Sequence, residues 1–180
     1  MLLTLGHGTA SADELTELIR GASIEMLVDV RTVPKSRRHP HVAREALEIW
    51  IPQKTGAAYR WEPRLGGFRK SSPASPNVAL RHPSFRGYAD YMATLPLARA
   101  MTELLERIKA SQTAVMCSET LWWRCHRRLI ADAAMLLHGV PVEHLMHDGT
   151  LRPHVPTAGA RVADGTLRYD VLFAQERGPD

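Results

Sequence analysis

The residues best suited to chemistry lie in one stretch, Thr113 to Gly139, which reads TAVMCSETLWWRCHRRLIADAAMLLHG. Within it Cys125 and His126 stand side by side, flanked by Arg124, Arg127 and Arg128, with Cys117 and Glu119 a little upstream. A thiol must ionise before it can attack, and both neighbouring cations and the positive end of a helix favour ionisation. Cys125 as a nucleophile would need a proton acceptor, for which His126 and His7 are candidates, and Glu119 could act as general acid or base. The same helix start, with its unpaired N–H groups, suits an anion. The opposing reading is equally physical: Cys125 packs as a small hydrophobe, and Glu119 serves only to partner an arginine.

Other chemistries fit the spacing less well. A phosphatase loop would carry an arginine six residues after its cysteine, but those positions are Ala131 after Cys125 and Trp123 after Cys117. Cys117, Cys125, His126, His7 and His147 are all ligand types that suit zinc, yet no pair has a recognised zinc spacing, and no metal is assigned. A Cys117–Cys125 redox pair is conceivable, although their spacing is not C-x-x-C. Trp122 and Trp123 could stack on bases, worth about 1–3 kcal/mol per base in proteins that do so, or could pack in a core or an interface.

The elements that must position these residues can be read from periodicity. Ala114 to Met116 form a short apolar run, while Leu129, Ile130, Ala133, Ala134 and Leu137 recur on one helical face, so a strand, a turn and a helix opening at Cys125-His126-Arg127 follow. Leu2 to Leu5 predict a first strand ending at Gly6-His7-Gly8, and Ser11 with Glu14 a capping box for a helix carrying Leu15, Leu18, Ile19 and Ala22 on one stripe. Met26 to Val30 form a second strand that brings Asp29 and Arg31 out beside His7. A helix runs from Pro40 to about Trp50, with Val42, Ala46, Ile49 and Trp50 inward and Pro52 as its stop. Tyr59 to Trp61 give a short third strand. The Ser- and Pro-rich interval Lys70 to Pro83 is long enough to read as a mobile loop or lid. Ser84 caps a further helix, Pro96 separates it from the next, Val140 to Met146 supply another strand, and Asp164-Gly165 marks a small hairpin before a frayed tail after Phe173. Alternation of strand and helix predicts a three-layer α/β fold, Rossmann-like, with a mainly parallel sheet, helices on both faces and a small C-terminal hairpin. One domain is expected over residues 1–180, with a core of about 1–156 and an extension at 157–180.

Composition bounds the partners. At 180 residues, 44% hydrophobic and 23% charged, the chain has ordinary globular proportions, and no apolar run approaches a membrane span. The N-terminal MLLTLGHG lacks the features of a signal peptide, and two cysteines without one point to a reducing cytoplasm. The net charge of +4 is unevenly spread: residues 31–86 hold twelve Arg or Lys against three Glu, an excess of +9, while the flanks are near neutral or acidic. That asymmetry suits a small anionic or phosphate-bearing ligand, or a nucleic acid, and equally a solvated basic face. The sequence specifies neither a cofactor nor an oligomeric state.

Seven pieces in order, Leu3-Thr-Leu-Gly-His7, Leu27-Val-Asp-Val-Arg31, Pro34 to Arg37, Leu65-Gly-Gly67, Phe85-Arg-Gly-Tyr-Ala-Asp-Tyr91, Met116-Cys-Ser-Glu119 and Cys125-His-Arg127, together resemble the DUF488 family over roughly Leu3 to His154. The resemblance implies a cytoplasmic α/β domain with no agreed activity, in a family whose members are sometimes labelled as DNA-repair proteins. Trp122-Trp123 departs from the smaller or proline-containing sequence expected there. If the strands are parallel, Arg31, Glu119, Cys125 and His126 should converge on one cavity at the carboxyl edge of the sheet, with His7 at its floor. Asp29, Arg37, Gly66, Gly67 and Arg127 complete the expected anion-binding surroundings. The alternative is a nucleic-acid-binding module using residues 31–86 without catalysis.

Overall fold

The computed structural model describes residues 1–171, so the tail expected to fray after Phe173 lies outside the described residues. In chain order the elements are β1 (Leu2–Gly6), α1 (Ala12–Gly21), β2 (Met26–Asp29), α2 (Arg44–Thr55), β3 (Ala58–Trp61), α3 (Pro83–Met92), α4 (Leu95–Ala110), β4 (Thr113–Cys117), α5 (Arg127–His138), β5 (Val142–Leu145), β6 (Leu151–Pro153), β7 (Ala160–Ala163) and β8 (Thr166–Tyr169). The main sheet runs β3-β2-β4-β1-β5-β6, with all pairs parallel except β5 with β6, and β7 and β8 form the separate antiparallel hairpin. The fold is therefore α/β with a mainly parallel sheet.

Two apolar layers follow from the pleat. Leu3, Leu5, Leu27, Ala114 and Met116 point to one face and meet Leu15, Leu18 and Ile19 of α1 and Leu47 and Ile51 of α2. Leu2, Val28 and Val115 point to the other and meet α3, α4 and α5 through Tyr88, Leu97, Met101, Leu129 and Ile130. Burial on both faces explains why β1 and β4 read as continuous apolar runs, LLTLG and TAVMC, rather than as alternating ones.

Local chemistry sets the helix starts. In α1, Glu14 N–H donates to Ser11 Oγ at 3.2 Å and Ser11 N–H to Glu14 Oε2 at 2.7 Å, the reciprocal box expected from S-x-x-E. Elsewhere the boundaries differ from expectation. Residues 40–42 form a separate 3-10 turn, and α2 starts at Arg44 and runs through Pro52 to Thr55. That break rotates the inward stripe to Leu47 and Ile51 and leaves Ile49 60% exposed. Pro52 sits in the last turn, where it forfeits one backbone bond; burial of Ile51 and a left-handed cap at Gly56 (φ 76°) carry the helix past it. The cap of α3 is His82 rather than Ser84: its Nδ1 accepts from Ser84 N–H at 3.2 Å, and Pro83 takes the first helical position. Strand β6 carried no sequence signal. No helix among the described residues is long and apolar enough to cross a membrane.

The hairpin is fastened to the core by a buried polar chain. Thr4 Oγ1 meets His144 Nδ1 at 2.7 Å, His144 Nε2 meets His154 Nδ1 at 3.0 Å, and His154 Nε2 meets Asp132 Oδ1 at 2.8 Å. Tyr169 O–H donates to Asp132 Oδ2 at 2.9 Å, and Thr157 N–H to Oδ1 at 2.8 Å. An ionised Asp132 can only accept, so His154 must carry its proton on Nε2. In the neutral arrangement His154 Nδ1 then accepts from His144 Nε2–H, and His144 Nδ1 accepts from the Thr4 hydroxyl. Burial, then the adjacent His154, push His144 down to about 3, which keeps it neutral.

Candidate active site

β1 and β4 are neighbours in the sheet, with Gly6 in register with Cys117 and His7 N–H donating to Cys117 O at 2.9 Å. Beyond this point the chain leaves in opposite directions, α1 leading to β2 on the far side of β4 and α5 to β5 on the far side of β1. Such a divergence opens a crevice at the carboxyl ends of the strands. Here it is a cavity of about 1000 Å³ whose lining includes His7, Arg31, Cys117, Glu119, Cys125 and His126. Lys35, Arg38, His39 and Arg124 contribute positive charge or imidazole to its wall, and Phe68, Phe85 and Trp123 contribute aromatic surface.

Close backbone approach holds the floor together. A Cβ on Gly6 would lie 2.0 Å from the Glu119 carbonyl oxygen, so only glycine lets the loop after β4 rest on the end of β1. A Cβ on Gly67 would lie 3.0 Å from His126 Nδ1, so glycine there admits the imidazole. Trp122 and Trp123, alike in sequence, part company. Trp122 stacks on His144 with ring centroids 4.0 Å apart and planes at 7°, as a packing residue, whereas Trp123 is half exposed at the cavity.

The two thiols share one imidazole. His126 Nδ1 lies 3.8 Å from Cys125 Sγ and 3.9 Å from Cys117 Sγ, and the three atoms fall within 4.8 Å of one another. Both cysteines are free and buried among apolar neighbours, yet both reach the cavity surface. Arg127 is fully buried beneath them. Its Nε donates to Cys125 Sγ at 3.3 Å, and its other contacts are the carbonyl oxygens of Glu119 and Thr120. No carboxylate pairs with Arg127 among the described residues, and a buried cation is costly without an anion, so the Cys125 thiolate is its natural counter-charge. The neighbouring Cys117 thiol, then contact with His126 and the charge of Arg127, hold the Cys125 thiol well below its ordinary value against the opposing effect of burial. Cys117 moves the other way, well above, because the Cys125 sulfur lies beside it and burial disfavours a second thiolate next to the first.

His7 is a fixed donor and acceptor. Its Nδ1 lies 2.9 Å from Gly8 O, which requires a proton on Nδ1, and its Nε2 lone pair faces Arg31 Nη1 at 3.1 Å. Burial, then the Arg31 charge, push it down to about 4. A neutral ring whose lone pair already accepts from a guanidinium cannot serve as the base for Cys125. Arg31 in turn is held by Asp29 through Nε to Oδ1 at 2.8 Å and Nη2 to Oδ2 at 2.5 Å, and donates to Val42 O at 2.8 Å; Tyr59 O–H completes Asp29 at 2.7 Å. Of the five guanidinium N–H groups, only one on Nη1 is left for a ligand.

The remaining expected site residues are placed as follows. Glu119 lines the cavity but is exposed, and its carboxylate accepts from Leu121 N–H at 3.3 Å rather than joining Asp29 and Arg31. Asp29 lies beneath Arg31, and Arg127 beneath Cys125, neither reaching the cavity surface. Gly66 packs on Thr32, and Arg37 is exposed away from the lining. The Ser- and Pro-rich interval is fastened down: Ser72 N–H, Ser75 Oγ and Asn77 Nδ2 all bond Asp90, and Asn77 Oδ1 accepts from Tyr169 N–H. Residues 70–81 of the interval stay off the cavity lining, and His82 near its end reaches it. Phe68, next to Gly66-Gly67, lines it as well, although the sequence singles out neither Phe68 nor His82 as a site residue.

A metal is the other occupant the cluster could hold. Zinc bound by sulfur at about 2.3 Å and nitrogen at about 2.0 Å needs S–N edges of about 3.6 Å, close to those present. Two observations weigh against it. Arg127 already supplies the positive charge at Cys125, and His126 Nε2, shut off from solvent, has none of the hydrogen-bond partners that usually orient a ligating imidazole.

Fold and site together define an open α/β protein with a thiol pair and an imidazole at the carboxyl edge of its sheet. The chain belongs to the DUF488 family: the model for this domain of unknown function matches residues 11–134, which include Arg31, Cys117, Glu119, Cys125 and His126 but not His7. No curated protein and no solved structure matches the chain.

Proposed function

We propose that this protein is a thiol-dependent enzyme that takes a small anionic substrate into the cavity and attacks it with the Cys125 thiolate. The observation that carries this reading is the buried Arg127–Cys125 pair, which stabilises an anionic sulfur at the surface of a cavity also walled by Arg31, Lys35, Arg38 and Arg124. In this reading His126 Nδ1 orients the thiolate and is the proton donor or acceptor nearest the reacting sulfur. The free Nη1 hydrogen of Arg31 and the Lys35, Arg38 and Arg124 side chains hold the substrate's negative charge, and Glu119 at the rim is the one carboxylate among the described residues that lines the cavity and can transfer a proton. His7 and Asp29 position Arg31.

The alternative nucleic-acid reading would draw on the basic segment as one displayed surface. At least five of its twelve cations, Arg31, Arg44, Lys54, Arg60 and Arg64, are instead paired with carboxylates, which favours the small ligand. Alkylation of the folded protein by iodoacetamide at neutral pH, read by peptide mass, tests the proposal. Modification should fall on Cys125 before Cys117 and be slowed by inorganic phosphate or pyrophosphate. Equal rates at the two thiols, or an unreactive Cys125, would remove it.

A further inference from the structure

The cluster holds a second sulfur that a single-nucleophile mechanism does not use. Cys117 ends β4 and Cys125 lies two residues before the start of α5, so both are held next to regular elements, and their sulfurs face the same imidazole atom at 3.9 and 3.8 Å. They sit seven intervening residues apart, but the loop from Ser118 to Arg124 arches over the end of β1 and brings the chain back to its starting point. From this juxtaposition we infer that Cys117 and Cys125 form a dithiol pair that exchanges with small anionic disulfides, Cys125 attacking and Cys117 resolving. This rests on the reading of Cys125 as a nucleophilic thiolate and adds the reaction class.

The exchange balances without any further reagent. Cys125 Sγ attacks one sulfur of the substrate disulfide; a Cys125–substrate disulfide forms, and the other half leaves as a thiolate. Cys117 gives its proton to that departing thiolate, directly or through His126, and its sulfur then attacks Cys125 Sγ. The second half of the substrate leaves as a thiolate. Two electrons have passed from the protein to the substrate, leaving a Cys117–Cys125 disulfide, one substrate thiol that carries the Cys117 proton and one substrate thiolate that takes its proton from solvent. The roles are divided by environment. Of the two sulfurs Arg127 donates to Cys125 Sγ alone, so that sulfur is the better attacking group, while Cys117 stays protonated until its neighbour's negative charge is consumed in the mixed disulfide. Closing the disulfide also deprives buried Arg127 of its anion, which stabilises the dithiol relative to the disulfide. The pair should therefore be readily reduced again by a small thiol, as a reaction cycle requires and a structural disulfide would resist. The cations at the cavity wall select disulfides that carry carboxylates.

Glutathione disulfide, which carries carboxylates, is the probe. Incubated in excess with the full-length protein, it should remove both free thiols and lower the protein mass by two hydrogens, and reduced glutathione should reverse the change. Cys117→Ser should instead stop at a mixed disulfide on Cys125, one glutathionyl heavier. A neutral disulfide such as hydroxyethyl disulfide should react more slowly than glutathione disulfide, and the difference should shrink in Lys35→Gln/Arg38→Gln. If wild-type protein itself stops at the Cys125 mixed disulfide, the dithiol inference falls and the single-nucleophile reading stands. If neither thiol reacts while folded, both fall. Zinc that co-purifies stoichiometrically and shields both thiols until chelated would overturn the inference in favour of a metal site. Should Cys117→Ser fail to fold, the wild-type mass change and its reversal decide the matter alone.

Discussion

Arg127 Nε donates to Cys125 Sγ at 3.3 Å from a fully buried guanidinium whose other hydrogen bonds among the described residues go to two backbone carbonyls. The pair links charge balance in the core to reactivity at the surface, because removing the thiolate leaves the cation without an anion and removing the cation leaves the thiolate without its donor. The alkylation rate of Cys125 should consequently rise with pH through an inflection below the ordinary thiol value of about 8.5 and then level off. Arg127→Gln should move that inflection upward and lower the rate at neutral pH about tenfold. A wild-type profile that rises only above pH 8 would show that the thiolate is not stabilised.

Two glycines separate fold from function. Gly6→Ala would drive a Cβ into the Glu119 carbonyl oxygen, a backbone atom, and should destabilise the protein by about 3 kcal/mol in urea denaturation. The nearest atoms that Gly67→Ala meets belong to the His126 ring, a side chain that can yield by a few tenths of an ångström. Its stability should change by less than about 1 kcal/mol, while Cys125 alkylation slows a few-fold as the imidazole leaves the sulfurs. Unchanged reactivity in Gly67→Ala would mean that His126 does not govern the thiol.

Asp132 accepts from His154, Tyr169 and the Thr157 backbone with no exposure to solvent. Asp132→Ala would strand all three donors and should cost about 3–5 kcal/mol, whereas Asp132→Asn, which keeps an acceptor, should cost less. The difference between the two variants, measured by denaturant midpoint, tests whether the polar chain holds the hairpin to α5.

His7 supplies a pH dependence with a definite sign. Its ring is pushed from 6.5 down to about 4 on folding, so the unfolded chain binds the proton more readily. Its contribution to stability is complete above pH 6.5 and is lost as the pH falls toward 4. His7→Gln should flatten the slope of stability against pH in that window relative to wild type, and an unchanged slope would assign the acid sensitivity to other groups such as His144.

Much of this architecture is written locally. Apolar runs too short for helices, a capping box at Ser11 and Glu14, a left-handed glycine at Gly139 and the Asp164-Gly165 turn are each decided within a few residues of chain, so the alternation of strands and helices and the emergence of His7, Arg31, Glu119 and Cys125 from strand ends or a helix start could be read from the sequence. Phase within α2 could not, because the break after Val42 changes which residues face inward without altering the composition of the segment. The partnership of Cys117 with Cys125 is conceivable from the sequence but not decided by it. Spacing rules recognise thiols that meet within one turn of chain, and these meet only because parallel pairing of β1 with β4 gives the returning loop a surface to fold upon. The chain from Thr4 through His144 and His154 to Asp132 and Tyr169 joins positions up to 165 residues apart, each an ordinary polar residue alone. Residue type set what these groups can donate, accept or ionise. Burial and the long-range packing of the sheet decided which of them met, and which proton each one keeps.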